Sequence, residues 1–481
     1  MPLLVALSGW RGARGRLPGQ PPLRAFGLGL SSGVVYFIGT LYWTGTVVQQ
    51  FGGLSTPLAV LAMLLLALYQ GACPAISSLI VGRLIGRAGS KGVLLSAAPW
   101  VAMEFCRGVM FGGFPWVLLG SSQVAVLPVA QLASVLGVYG VSALVAIVNA
   151  LIAYSVLMDG RRRITAIASA VVVVALVGAW GAWRVADGSL TRSGTPIMVG
   201  LVQGNIRQDE KWDPQQARRI LTTHLSMTRD AVRRGARYVL WPESSTPFMF
   251  EEDAEGGAAV RALARELNVP LLFGSDQIER GPTPHLYNAA FLLRPDGQTA
   301  AVYRKMHLVP FGEFIPLQRW LSFASPLVGS FGEFAAGTSV VMLPVGEHLT
   351  STAICYEVVY PALSREAVLS GSELLTTITN DAWYGHSSAP YQHFAQASMR
   401  AIEEGRYLAR AANTGISGIV DPYGRVVKES GIFEQVALVG EVRFLTARTI
   451  YAVIGDAVAY VAIALTLAAL LAFGRRDVRR P

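Results

Sequence analysis

The chain has 481 residues, of which 52% are hydrophobic and only 15% charged, with a formal net charge of +9. This apolar excess excludes an ordinary soluble protein and points to a bilayer. The basic residues lie in short clusters beside apolar blocks, so the charge reflects membrane topology, and no nucleic acid is expected as a partner.

In chain order, a basic, Pro-rich start at residues 1–25 precedes an apolar region at 26–186, a stretch of globular composition at 187–448, an apolar block at 449–474 and a basic tail at 475–481. The start lacks the long apolar run and small-residue cleavage site of a signal peptide. About 20 apolar residues span a bilayer as a helix. Six candidates fall near 26–48, 56–82, 92–110, 128–157, 164–186 and 450–473. Arg11, Arg14, Arg16 and Arg24 precede the first span, and Arg83, Arg87 and Lys91 separate the second from the third. The segment "DGRRR" at 159–163 separates the fourth from the fifth, and Arg475, Arg476, Arg479 and Arg480 follow the sixth. Lys and Arg concentrate in cytoplasmic loops, and all four clusters share one side if the spans alternate. The predicted topology has both termini in the cytoplasm and residues 187–448 outside it.

In the globular stretch, "PIMVGLVQGNI" and "ARYVLWPES" read as strands flanking a helix whose apolar register includes Ile220, Leu221, Leu225 and Met227. A helix near 257–268 leads to the strands "VPLLFGSD", "LYNAAFLLRPDG" and "TAAVYRKMHLVPF". "VVMLPVG", "HLTSTAICYE" and "ELLTTITND", a helix near 391–410 and "SGIVDPYGRVV" complete the set. Such alternation predicts one α/β or mixed sandwich domain.

Cys73 and Cys106 fall in predicted spans, which leaves Cys355 the one cysteine of the outer stretch, without an evident disulfide partner. A free cysteine is commonly a small buried hydrophobe. To act as a nucleophile it needs a base or cation nearby and a donor for a developing oxyanion. No histidine lies in an evident motif for that role. Glu243, after "YVLWP", and Lys305, in "VYRKMHLVPFGEF", both stand where a strand opens into a loop. Carboxylate, ammonium and thiol at three strand mouths are able to converge; spacing alone leaves that open beside a buried thiol, a surface lysine and a turn carboxylate. The six histidines lack zinc-like spacing and no Gly-rich phosphate cradle occurs, so neither a metal nor a cofactor is implied.

The segments "LWPES", "YRKMHLVPFGEFIP", "ICYEVVYP", "TNDAWYG" and "ARAANTGISGIVDPYGRV" together resemble the nitrilase, or carbon-nitrogen hydrolase, superfamily. That resemblance implies an α-β-β-α sandwich and a Glu, Lys, Cys triad. "EFCRGVMFGGFPWVLLGSSQ" at 104–123, upstream of such a domain and with a closing span after it, is similar to the apolipoprotein N-acyltransferase family of the bacterial inner membrane. The fold implied is a multi-span α-helical membrane domain plus an extracytoplasmic α/β nitrilase-like sandwich on the periplasmic side. The reaction implied takes an acyl chain from a phospholipid donor, through a thioacyl-enzyme on Cys355, to the α-amino group of a diacylglyceryl-apolipoprotein acceptor. Glu243 becomes base and then acid, and Lys305 supports the oxyanion. Glu313, Tyr356 and Glu357 match supporting positions, and Trp212 matches a substrate-access tryptophan. Trp383 is expected on the same pocket wall as Asn380 and Asp381. The resemblance also implies eight spans where six are counted, the missing pair being expected before residue 26.

Glu104 and Arg107, three apart on a predicted membrane helix, read either as functional charges or as a pair holding the "FGGFPW" loop. His386 and His393 read as structural. Two competing functions stand beside the acyltransferase: a membrane-tethered amidase or nitrilase acting on a small C–N substrate, and a non-catalytic scaffold for a polyprenol-sugar synthase.

Overall fold

A computed structural model describes residues 1–10, 17–282, 284–315 and 333–474. Arg11, Arg14 and Arg16 of the basic start and the basic tail at 475–481 lie outside the described residues. The chain divides into two compact units, one made of Met1–Gly45, Thr56–Asp187 and the residues from Val453 onward, the other of Thr46–Ser55 and Gly188–Ala452.

The first unit is helical. Five of its helices are long and apolar enough to cross a membrane: Pro22–Leu41, Thr56–Ala88, Ser90–Gly112, Ala133–Leu157 and Gly160–Arg192. Each corresponds to a predicted span, with local differences. The predicted span 26–48 stops at Leu41, and a separate helix runs over Trp43–Gln50. The helix Ala133–Leu157 is kinked at Gly137, whose φ of 67° only a residue without Cβ adopts freely. The predicted sixth span, 450–473, is interrupted. A short helix Ile450–Ile454 ends before Gly455, at φ 60°, and the continuous helix is Ala457–Gly474. Its 18 residues rise about 27 Å.

Glu104 and Arg107 are both buried on the helix Ala97–Val109. The Arg107 guanidinium donates to the carbonyls of Phe114 and Trp116, each at 2.9 Å, while the Leu119 amide donates to Glu104 Oε1 at 2.7 Å. Arg107 therefore holds the "FGGFPW" loop through its backbone and Glu104 holds the turn that follows it, which satisfies polar groups that an apolar environment would leave unpaired.

The second unit is built on two six-stranded sheets. In the first the order is β12-β1-β2-β3-β4-β5 and in the second β11-β10-β9-β8-β7-β6. The first comprises β1 (Thr195–Gln203), β2 (Tyr238–Leu240), β3 (Leu271–Glu279), β4 (His285–Leu293), β5 (Thr299–Arg304) and β12 (Val436–Phe444). The second comprises β6 (Leu343–Val345), β7 (His348–Ile354), β8 (Leu374–Thr379), β9 (Leu408–Ala412), β10 (Gly418–Val420) and β11 (Val426–Glu429). Both repeat one pattern: β1, β2 and β3 are mutually parallel, as are β7, β8 and β9, and antiparallel strands flank each trio.

Strand alternation sends one set of side chains to each face. Val199, Leu201, Leu240 and Leu272 of the first sheet share a core with Ile354, Ile378, Ala409 and Ile419 of the second. Val202, Val239, Trp241 and Phe273 of the first sheet share a different core with Val260 and Leu263 of the helix Ala254–Leu267. Leu221, Leu225 and Met227 of the helix Ala217–Arg233 pack on that same core, in the register predicted. Two corrections arise here. The helix predicted near 391–410 is Ala389–Glu404, because Gly405 turns left-handed at φ 61° and β9 begins at Leu408. Strand β12, absent from the predicted set, pairs with β1 along its whole length from Thr195 to Gln203.

Candidate active site

Strand β2 is fully buried and apolar, so the chain leaves the sheet only at Pro242, and Glu243 follows at once. The turn lies so close to β3 that a Cβ on Gly274 would stand 2.6 Å from the Glu243 Cα, and only glycine fits. Lys305 comes one residue after β5, its amide anchored on the Asn288 carbonyl at 2.8 Å. Both side chains are buried, Lys305 to 1% exposure and Glu243 to 6%. The Lys305 ammonium lies 2.9 Å from Glu313 Oε1 and 3.3 Å from Glu243 Oε1, and so serves two carboxylates. Asn288 on β4 bridges the same oxygens, its Nδ2 donating to Glu243 at 2.7 Å and to Glu313 at 2.9 Å. The remaining oxygens take backbone amides: Asn380 to Glu243 Oε2 at 2.9 Å, and Val309 to Glu313 Oε2 at 2.8 Å. Buried charges persist only when paired and hydrogen-bonded in this way.

Cys355 comes immediately after β7, at φ 54°. Left-handed backbone at a residue with a Cβ costs roughly 1–3 kcal/mol and survives only where its surroundings impose it. Glu357 supplies part of that constraint. Its Oε2 accepts the Ile354 amide at 2.7 Å, while its Oε1 accepts the Met306 and His307 amides and the Tyr303 hydroxyl at 2.6, 3.1 and 2.8 Å. One carboxylate thus ties the end of β7, which bears the thiol, to the end of β5, which bears the ammonium.

The electrostatics distribute protons unequally. Burial raises the Glu243 carboxyl, but Lys305, Asn288 and Lys211 outweigh it and leave the group below the usual carboxylate range. Burial would lower the Lys305 ammonium, yet Glu313 and Glu243 carry it well above its ordinary value. Burial, reinforced by the Glu243 charge, pushes the Cys355 thiol up to about 12 against the pull of Lys305. These shifts favour a protonated thiol beside an ionised Glu243–Lys305 pair.

The structure thus brings Glu243, Lys305, Glu313, Cys355 and Glu357 together. Tyr356 is buried, its ring edge-on to Tyr360 at 5.2 Å. Trp212 stands half-buried in the loop after β1. Trp383, in the turn Asp381–Tyr384, is 38% exposed, and its ring meets that of Phe51 at 4.7 Å. Sequence reasoning missed two members. Asn288 is a polar residue inside a β-strand pattern, and nothing local marks it. Lys211, beside Trp212 in "DEKWDP", is buried and donates to the Glu243 carbonyl at 3.0 Å. Burial brings its ammonium down to about 8. Among the described residues no group of three or more His, Cys, Asp or Glu side chains is arranged to hold a metal ion.

Comparison with known proteins extends over both units. Residues 198–450 match the carbon-nitrogen hydrolase family, and residues 2–151 match the apolipoprotein N-acyltransferase N-terminal domain. The apolipoprotein N-acyltransferase of Geobacter metallireducens is 36% identical over 468 residues, covering 95% of this chain and 89% of that relative. That of Methylococcus capsulatus is 35% identical over 444 residues, covering 90% and 82%. Among solved structures, an amidase from Nesterenkonia sp. matches with a TM-score of 0.40 and 23% identity, covering 53% of this chain and 93% of that one. With two domain matches in this order and relatives at this identity over nearly its whole length, the chain belongs to the apolipoprotein N-acyltransferase family.

Proposed function

We propose that the chain is a multi-pass protein of the bacterial inner membrane that transfers an acyl group from a phospholipid, through a thioester on Cys355, to the α-amino group of a lipoprotein's N-terminal diacylglyceryl-cysteine. The observation that carries this reading is the Cys355 thiol on a left-handed turn in the field of both Glu243 and Lys305. In the first half-reaction Glu243 takes the thiol proton as Sγ attacks the ester carbonyl. The oxyanion forms beside Lys305, the C–O bond breaks, and Glu243 returns the proton to the departing lysophospholipid oxygen. In the second half-reaction the acceptor amine attacks the thioester, Glu243 takes the amine proton, the C–S bond breaks, and Glu243 returns the proton to the departing Cys355 sulfur. Dividing the transfer into two steps is the use of covalent catalysis.

The proton distribution suits that order. A thiol pushed up to about 12 stays protonated and unreactive until an acyl carbonyl arrives to accept the developing charge. Glu313 holds Lys305 in place, and Glu357 keeps the thiol and ammonium strand ends in register. Tyr356 packs behind the nucleophile, and Trp212 and Trp383 serve substrate access. The basic clusters favour a catalytic domain, residues 187–448, on the periplasmic face, with membrane regions at 26–186 and 449–474. Both substrates carry acyl chains, and a membrane-tethered site receives them without passage through water.

Intact-mass measurement of wild type and Cys355→Ala in detergent, after incubation with a bacterial phospholipid, tests the reading. A hydroxylamine-labile acyl mass on wild type alone is expected, discharged by a diacylglyceryl-peptide. Absence of any adduct on folded wild type would sink the phospholipid-donor reading.

A further inference from the structure

Beneath the Cys355 turn lies a second buried network with no part in the steps above. His393, on the helix Ala389–Glu404, has its Nε2 3.0 Å from the Cys355 carbonyl oxygen. A carbonyl accepts only, so Nε2 carries the proton. The other face of the ring is equally occupied. Arg410 Nη2, on β9, lies 3.0 Å from His393 Nδ1 and 2.9 Å from Asp381 Oδ2, and Asp381 Oδ1 lies 3.0 Å from the same Nδ1. Asp381 Oδ1, which follows β8, takes the Thr379 hydroxyl at 2.8 Å. Asp381, His393 and Arg410 are all buried to 1% exposure or less.

We propose that His393 is a positioning residue for Cys355, its Nε2–H holding the nucleophile's carbonyl so that the left-handed turn aims the thiol and its backbone at the acyl carbon. The proposal rests on the reading of Cys355 as nucleophile and deepens it. Residues from three elements meet at the His393 ring, whose Nε2 faces one carbonyl, and that carbonyl belongs to the residue whose backbone is strained at φ 54°. A histidine that only filled the core would need one satisfied nitrogen and a snug ring. Here a buried ion pair flanks Nδ1, with Arg410 Nη2 and Asp381 Oδ1 each at 3.0 Å, while Nε2 faces the Cys355 carbonyl. Burial, with the Arg410 charge, holds the imidazole below its ordinary range, and a neutral ring that donates to the Cys355 carbonyl carries its proton on Nε2. The ionised Asp381, held at about 2 against the effect of burial chiefly by Arg410, balances the guanidinium.

The test uses the full-length protein in detergent and follows thioester formation on Cys355 by intact mass at varied phospholipid concentration, with melting measured alongside. His393→Gln places an amide NH₂ near the position of Nε2, whereas His393→Asn reaches only as far as Nδ1. Displacing a reacting group by an ångström costs up to about a hundredfold. His393→Asn is therefore expected to remain folded and lose about tenfold or more in the maximal thioacylation rate at unchanged half-saturating phospholipid, and His393→Gln to recover most of the loss. A folded His393→Asn that acylates at the wild-type rate overturns the proposal, as does a His393→Gln no faster than His393→Asn. Failure of both variants to fold would assign His393 to the fold alone and overturn it as well. Wild type that forms no adduct on Cys355 would instead remove the thioester reading beneath it.

Discussion

The two sheets of the α/β unit share a strand pattern and differ in what they carry. In each, the first strand of the parallel trio ends in a left-handed turn: Asn205 at φ 52° just after β1, and Cys355 at φ 54° just after β7. Asparagine is among the few residues that adopt this conformation at little cost. Asn205 adds to that by donating its side chain to the Phe433 carbonyl at 2.9 Å and its amide to the Asn413 carbonyl at 3.0 Å. Cysteine has no such preference. One turn is filled by the residue best suited to the backbone, the other by the residue that the chemistry requires. The first sheet in turn supplies the charge, through Glu243, Asn288, Lys305 and Glu313, which lie on its strands or on the loops that leave them. The second supplies the Cys355 thiol, the proposed nucleophile, and the network around its carbonyl.

If the first sheet's role is charge, removing its shared cation is expected to have the largest effect. Lys305→Met leaves Glu243 and Glu313 buried without their ammonium, which costs about 3–5 kcal/mol of stability. It also removes the oxyanion's cation, lowering thioacylation by about a thousandfold. Chemical denaturation and adduct kinetics measure the two, and a variant as stable as wild type would mean that the cluster is not a closed charge group.

A smaller effect compares the two turns directly. Asn205→Ala is expected to lose about 1–3 kcal/mol, through backbone strain and the lost bond to Phe433. Cys355→Gly relieves strain while giving up a buried thiol, and is expected to fall within about 1 kcal/mol of wild type with no adduct formed. Should the glycine variant prove the costlier in denaturation, the Cys355 turn is not strained in the sense argued.

The smallest effect is a pH dependence. Lys211, delivered by the loop after β1, keeps its charge below about pH 8 and loses it above, because burial lowers its folded value. That charge acts on Cys355 as well as on Glu243, and offsets the negative charge that develops as the thiol gives up its proton. Thioacylation is expected to decline severalfold above pH 8, and Lys211→Met to lack that limb and run at the lower level throughout. A pH–rate profile of the first half-reaction, free of the acceptor amine's own titration, checks it. An unchanged alkaline limb in the variant would assign it to another group.

The grouping of Glu243, Lys305 and Cys355 was legible because each stands at a strand mouth inside a motif of several residues, with Glu243 after a buried apolar run and Cys355 after a β-branched one. The helix register from Ile220 to Met227 was legible for the same local reason. Asn288, Lys211 and the grouping of Asp381, His393 and Arg410 were not. A polar residue on a strand or in a loop has the same local pattern whether it faces water or a buried carboxylate. Strand β12 lies more than 230 residues from the strand it pairs with, and its short β-branched run carried no sign of a partner.

Composition and periodicity by themselves determined that the chain has apolar helices around an α/β unit, and motif chemistry pointed to the thiol, the carboxylate and the ammonium. These properties depend on residues within a few positions of one another along the chain. Only the tertiary structure decided that Lys305 serves two carboxylates at the edge of the first sheet, that Glu357 ties β5 of that sheet to β7 of the other, and that His393 meets the Cys355 carbonyl. The physical reason is that such contacts depend on burial and on distances of about 3 Å between groups remote in sequence, which exist only once the strands and helices have packed.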